Sequence, residues 1–241
     1  MYAIQWTRSL LFIILMYVGM AGYAIIYFPW ALASRNGAYA AIHGYCRFVR
    51  FIAHHLVGLR TEVRGVVPTE ECLVAAKHQS FLDIILITGV LPKPKLIMKA
   101  ILKWAPFLGF YAVRIGCVPV NRGRRGHAMK QMVEHVKKGL SAPGQLVIFP
   151  QGTRVAAGAV RPYKIGAGVL YTELDQPCYP AATNVGVFWP RRGIYRKPGL
   201  AVVEFLPPIL PGQTLEPFMP ELEATLESHS NRLMAEAGFK L

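Results

Sequence analysis

The chain has 241 residues, 27 Lys and Arg against 13 Asp and Glu, a formal charge of +14 and 53% hydrophobic content. That length holds one substantial core, so one catalytic domain with an appendage is expected. The basic balance suits nucleic acid, an anionic membrane surface or phosphorylated substrates, but the scattered basic residues and the apolar content favour the membrane over nucleic acid.

Leu10 to Ala33 is a run of 24 residues without a charge, and at 1.5 Å per residue it extends roughly 36 Å, enough to cross a bilayer core. It is too long for the apolar region of a signal peptide. Arg8 precedes it and Arg35, Arg47, Arg50, Arg60 and Arg64 follow, which keeps the large C-terminal part in the cytoplasm. From Ala38 to Leu59, Tyr39, Ile42, Cys46, Val49, Ile52 and Leu56 recur at helical spacing, while His43, Arg47, Arg50 and His54 line another face. This pattern predicts an amphipathic helix lying in a membrane interface. The two helices form either a hairpin dipping into one leaflet, with Gly37 at the bend, or a spanning helix followed by a surface helix; the alternative is that both are core helices of a soluble protein, against which 24 chargeless residues weigh.

From residue 60 onward, short apolar runs alternate with helical patterns. Strands are predicted at 61–67, 73–76, 96–98, 113–120, 146–149, 179–183 and 201–205, and helices at 82–90, 100–104, 126–140, 166–174 and 219–237. The alternation points to an α/β domain over 60–241 with a mostly parallel central sheet flanked by helices, preceded by a membrane-anchoring pair of helices over 1–59. Cys46, Cys72, Cys117 and Cys178 form no C-x-x-C pair and are expected to be core residues in a reducing compartment.

Two segments carry chemistry. In "AAKHQSFLDIIL" (75–86), His78 stands five residues ahead of Asp83, one of only two aspartates in the chain. Residues five apart on one helix lie roughly 140° apart, so the expected arrangement is a strand, a turn over Lys77–Ser80 and then a helix. Ser80 fits the N-cap, with Asp83 three residues on. Asp83 can then reach back to His78, fix its tautomer and leave the other ring nitrogen as a base. The alternative is a plain capped helix with an incidental histidine. In "LVIFPQGTR" (146–154), a buried strand ends in Gln151, Gly152, Thr153 and Arg154, where α/β sheets place ligand sites. Arg154 suits phosphate. Lys99 and Arg122 follow other predicted strands, and the three cations beside a His and Asp pair suggest an anion held next to a general base.

These blocks resemble the glycerolipid acyltransferases. His78 with Asp83 matches their H-x4-D signature and "FPQGTR" is similar to F-P-E-G-T-R. "IMKAILKWAPFLGF", "CVPVNRG" and "YPAATNVGVFWPRR" resemble the blocks between and after them, the nearest branch being the bacterial lysophosphatidic acid acyltransferases. The resemblance implies transfer of an acyl chain from acyl-CoA or acyl carrier protein to the free hydroxyl of a lysophospholipid, at the cytoplasmic side of a bacterial inner membrane, with no metal or organic cofactor. His78 would be the base and Asp83 its orienting partner. Lys99, Arg122 and Arg154 would hold the acceptor phosphate, with Gln151, Gly152 and Thr153 positioning acceptor and oxyanion. Gln151 and Asn121 depart from the usual glutamate and aspartate, so lyso-ornithine lipid or another lysolipid is the alternative acceptor. The non-enzymatic alternative is a membrane-bound lipid-binding protein.

Overall fold

The computed structural model describes residues 2–120, 133–134 and 143–240. Asn121, Arg122 and most of the helix expected over 126–140 lie outside these residues; of that helix, Val133 and Glu134 are described and are helical. Three helices come first: α1 (Tyr2–Ile26), α2 (Phe28–Ala33) and α3 (Arg35–Val57). The chargeless run is therefore broken at Tyr27, with Pro29 in the first turn of α2, where a missing N–H costs nothing. The second break is at Ser34, whose side chain accepts Asn36 N–H at 3.1 Å. Gly37 is not the bend. It lies inside α3, where an added Cβ would sit 2.5 Å from the Trp30 carbonyl carbon, so the glycine lets α3 pass close to α2.

The expectation of α3 as an interfacial helix is corrected too. Cys46, Val49, Ile52 and Val57 are buried in the same core as β2 (Cys72–Ala76) and α4 (Leu82–Val90), so protein, not lipid, covers the apolar face of α3. The exposed apolar surface is on α1 instead, where Leu11, Ile14, Val18 and Ile25 face outward and only Ser9, Phe12, Met16 and Ala24 are buried. α1 runs antiparallel to α3, with Gly19 against Phe48 and Tyr23 against Gly44. It is fastened at both ends. Gln5 Nε2 donates to the carbonyls of Val57 (2.9 Å) and Arg196 (2.8 Å), and near the other end Tyr111 OH donates to the Ala24 carbonyl at 2.6 Å. Between these, Phe12 meets Trp189 edge-on at 5.3 Å, and burying Phe12 and Met16 contributes about 1.5–3 kcal/mol each. Arg196, stacked on Trp189 at 4.4 Å, lies deep enough for burial to push its guanidinium down to about 10.

The sheet has seven strands in the order β1-β7-β6-β2-β5-β3-β4. They are β1 (Leu59–Arg64), β2, β3 (Pro94–Lys99), β4 (Val118–Val120), β5 (Gln145–Ile148), β6 (Cys178–Thr183) and β7 (Gly199–Phe205). All neighbouring pairs are parallel except β6 with β7. Five strands thus deliver their carboxyl ends to one edge. Helix α4 covers one face with α3, while α6 (Gly166–Leu174) and α7 (Leu215–Glu236) cover the other, where Phe218, Leu222 and Leu226 pack on Leu73 and Ala75. The strand expected over 113–120 is shorter: α5 (Leu108–Arg114) takes its first residues because Leu108, Tyr111, Ala112 and Ile115 recur at helical spacing, with Tyr111, Ala112 and Ile115 buried. All four cysteines are free and buried.

Gly37→Ala forces backbone apart between α2 and α3. Overpacking of this kind costs about 1–3 kcal/mol, which for a chain of this size lowers Tm by roughly 2–12 °C, readable by thermal unfolding of the detergent-solubilised protein.

Candidate active site

Strand β2 is buried along its whole length, and its last side chains alternate: Val74 and Ala76 face α3 and α4, Leu73 and Ala75 face α7. The chain leaves the strand at Lys77 and re-enters helix at Leu82. In the turn between them, Asp83 Oδ2 accepts from three donors: His78 Nδ1 at 3.0 Å, Gln79 N–H at 2.7 Å and Ser80 N–H at 2.7 Å. Asp83 has no solvent exposure. Half of the expected capping box is present, since Asp83 reaches back to Ser80 N–H, but Ser80 Oγ accepts from Leu82 N–H at 3.3 Å and α4 begins after Phe81. A carboxylate is an acceptor only, so Nδ1 must carry the ring proton and Nε2 keeps its lone pair. His78 is 13% exposed at its side chain, enough for one ring edge to meet a ligand.

The second segment braces this turn. Phe149, the residue after β5, stacks on the His78 ring with centroids 4.0 Å apart and planes at 24°, and Val155 N–H donates to the His78 carbonyl at 2.7 Å. Arg154 therefore lies next to the histidine turn. The pairings of β5 with β2 (Ile148 with Ala75) and with β3 (Val147 with Leu96) set Lys99 at the same sheet edge, two strands from His78, or about 10 Å. Arg122 lies outside the described residues. Within the loop, Gln151 is buried: its Nε2 donates to the Arg161 carbonyl at 3.5 Å, and its Oε1 has no partner among the described residues. Gly152 has φ +68°, favourable for glycine, and the Lys164 ammonium would lie 2.7 Å from an added Cβ. Its N–H donates to the Phe149 carbonyl at 2.8 Å. The N–H groups of Thr153 and Arg154 have no acceptor among the described residues.

A model of the acyltransferase family matches residues 60–184, just over half of the chain. The chain belongs to the acyltransferase family. Across 160 residues it is 28% identical to a 1-acyl-sn-glycerol-3-phosphate acyltransferase from Pseudomonas aeruginosa, covering 66% of this chain and 62% of that one. It is 31% identical over 169 residues to the alpha form of that enzyme from Mus musculus, covering 68% and 59%. The chain spans about three fifths of the length of the curated relatives it matches. In fold it resembles the crystal structure of the 1-acyl-sn-glycerophosphate (LPA) acyltransferase PlsC from Thermotoga maritima, with a TM-score of 0.80, 20% identity and 95% coverage of both chains.

The acyltransferase segment contains His78, Asp83 and Gln151–Arg154, but several side chains that hold them escaped the sequence reading. Phe149 is legible as the end of a strand and the start of the FPQGTR block but not as a partner of the histidine ring, and Lys164 carries no signal beyond its charge. Lys77 is buried and pairs with Glu227 of α7, to which Tyr163 OH also donates at 2.9 Å; burial beside that carboxylate pushes the Tyr163 phenol well above its usual range. No three His, Cys, Asp or Glu side chains among the described residues gather as a metal site would require.

Because an asparagine oxygen can replace Asp83 Oδ2 as acceptor, Asp83→Asn should cost less than about 1 kcal/mol of stability, whereas Asp83→Ala strands two buried N–H groups at about 1–3 kcal/mol each. Denaturant unfolding of the two variants side by side checks this order.

Proposed function

We propose that the protein is a 1-acylglycerol-3-phosphate O-acyltransferase, moving a fatty acyl chain from acyl-CoA or acyl carrier protein to the free hydroxyl of lysophosphatidic acid to give phosphatidic acid. The observation that carries this reading is the His78–Asp83 pair, with Nδ1 held by a buried carboxylate and Nε2 left as a base. His78 Nε2 takes the proton from the acceptor hydroxyl as its oxygen attacks the thioester carbonyl. The tetrahedral intermediate then collapses, the C–S bond breaks and the proton passes from His78 to the departing thiolate. Asp83 keeps the ring oriented and stabilises its charged form. The N–H groups of Thr153 and Arg154 are suited to the oxyanion. Arg154 and Lys164, with Lys99 at the same edge and Arg122 carried over from the family resemblance, are the cations for the acceptor phosphate. Ser80 is no nucleophile in this scheme: its oxygen accepts Leu82 N–H at the start of α4, two residues from the base. The reaction needs no metal or organic cofactor.

α1 is long and apolar enough to cross a membrane, and its exposed apolar face suits association with one. Its docking onto the domain at both ends supports a hairpin lying in one leaflet over a helix that crosses alone. Phe107 lines a cavity with Ala24, Ile25 and Phe28, and Ile101 and Trp104, which follow Lys99, are exposed apolar side chains. The proposed setting is the cytoplasmic side of a bacterial inner membrane, where lysophospholipid enters from the leaflet and the thioester from solution. A glutamine at 151, whose amide oxygen has no partner among the described residues, keeps another lysolipid acceptor, such as lyso-ornithine lipid, as the second reading.

The deciding experiment incubates the purified protein in detergent with labelled acyl-CoA or acyl carrier protein and a panel of lysolipids; turnover of a lysolipid other than lysophosphatidic acid as the preferred acceptor would replace the first reading by the second. His78→Ala should abolish transfer while leaving folding and vesicle binding intact. Arg154→Ala should raise KM for a phosphate-bearing acceptor roughly 10- to 150-fold, the equivalent of about 1.5–3 kcal/mol for a lost charge-assisted bond, with little effect on the donor. For the membrane face, Ile14→Asn with Val18→Asn on α1 should weaken partitioning to anionic vesicles in a flotation assay without altering the fold.

A further inference from the structure

The acyltransferase family segment ends at residue 184, yet the turn that holds His78 is fastened from outside it. Lys77, the residue before His78, ends the β2 alternation on the face turned towards α7. Its side chain is 2% exposed and its ammonium pairs with Glu227, whose own side chain is 27% exposed. The same Glu227 oxygen accepts from Tyr163 OH at 2.9 Å. Tyr163 precedes Lys164, whose N–H donates to the Pro150 carbonyl at 2.9 Å and whose side chain lies over Gly152. One carboxylate on α7 thus holds two ends: the turn that carries the base and the loop that carries Arg154. A second tie runs from α7 to the same turn, where Gln79 Nε2 contacts Met234 Sδ at 3.4 Å.

Burial makes the arrangement directional. A buried ammonium is stable only beside its counter-charge, so the Lys77 stem is drawn towards α7 and the peptide joining Lys77 to His78 is fixed with it. The Lys77 N–H, donating to the Ala181 carbonyl at 3.0 Å, pins the preceding peptide, between Ala76 and Lys77. A pair serving stability alone would make a different demand, since buried ion pairs can be replaced by neutral side chains of similar volume with little loss of fold.

We infer that Glu227 is a positioning residue that sets the His78 turn and the Gln151–Arg154 loop in register, through Lys77 on one side and Tyr163 on the other. The inference rests on the acyl-transfer reading above and adds the C-terminal helix to the machinery. Two variants cut the two arms separately. The double variant Lys77→Met with Glu227→Gln removes both charges but leaves an amide oxygen for Tyr163, and Tyr163→Phe removes only a hydroxyl.

The experiment measures thermal unfolding, steady-state kinetics with lysophosphatidic acid, and nitrogen-15 histidine spectra of the full-length protein in detergent, with His78→Ala identifying the His78 signals. In the double variant, kcat should fall about tenfold to a hundredfold, as expected for a base displaced by about an ångström, with acceptor KM nearly unchanged and the tautomer populations of His78 altered. In Tyr163→Phe, acceptor KM should rise about tenfold, the effect of one lost bond at the loop, with kcat and the His78 spectrum close to wild type. Wild-type kinetics and an unchanged His78 spectrum in a folded double variant, together with wild-type acceptor KM in Tyr163→Phe, would overturn the inference and leave the pair a plain structural one. Should the double variant not fold, Tyr163→Phe decides alone by its KM. A wild-type protein inactive on every lysolipid would count against the acyl-transfer reading, whereas the His78 spectrum of the double variant would still decide the positioning.

Discussion

A carboxylate with no exposure to water is costly unless its charge is met, and Asp83 is such a group. Its compensation comes from two backbone N–H groups and one imidazole N–H, all converging on Oδ2. The positive end of α4 adds to this, because Asp83 lies in the first turn of that helix. Each of these donors belongs to the turn itself, so the turn cannot relax without abandoning the charge. The rigidity needed to aim an imidazole is thus obtained from the same bonds that make the buried charge tolerable. Thr183 comes within 3.5 Å of the other oxygen, but its hydroxyl proton serves the nearer Val202 carbonyl at 2.9 Å, so it adds little to holding Asp83.

The sheet gives that turn its neighbours. Since β2, β5 and β3 are parallel, the residues leaving them gather at one edge, and β5 lies directly beside β2. The residue leaving β5 is Phe149, and stacking a flat ring on His78 holds the imidazole plane without competing for either nitrogen. Meanwhile α1 rests on α3, which itself packs on α4. The apolar surface of the N-terminal helices is therefore connected to the turn through two helix contacts, and its distance from His78 is fixed by the core.

The parts legible in the sequence are the local ones. The H-x4-D turn could be derived because strand, turn and cap signals lie within a dozen residues, and α4 and α6 begin and end where their patterns do. The failures have physical causes. The apolar face of α3 looks the same whether lipid or protein covers it, so its period located the helix but not its partner. Residues 113–120 are rich in β-branched and small apolar side chains, and strand propensity there outweighed the 3.6-residue spacing that α5 obeys. Glu227 stands 150 residues from Lys77. No local pattern joins two such positions; only the parallel order that places β2 beside the packing face of α7 does so.

The distribution of the excess positive charge follows from where the few carboxylates went. Among the described residues, Glu62, Glu204 and Glu236 pair with Arg64 and Arg232 along β1, β7 and the end of α7, Glu227 pairs with Lys77, and Asp83 with His78. Lys99, Arg154 and Lys164 have no carboxylate within ion-pairing distance among those residues. Exposed pairs contribute little to stability, so the larger effect of this partition is on potential. The paired acidic residues neutralise Arg64 and Arg232 on the far strands and α7, and the buried Lys77, and leave Lys99, Arg154 and Lys164 uncompensated at the edge where His78 emerges. Attraction of an anion to that edge acts over about 8 Å at physiological salt, a range short enough that the placing of these cations on the sheet, rather than the net charge of the chain, determines where an anion comes to rest.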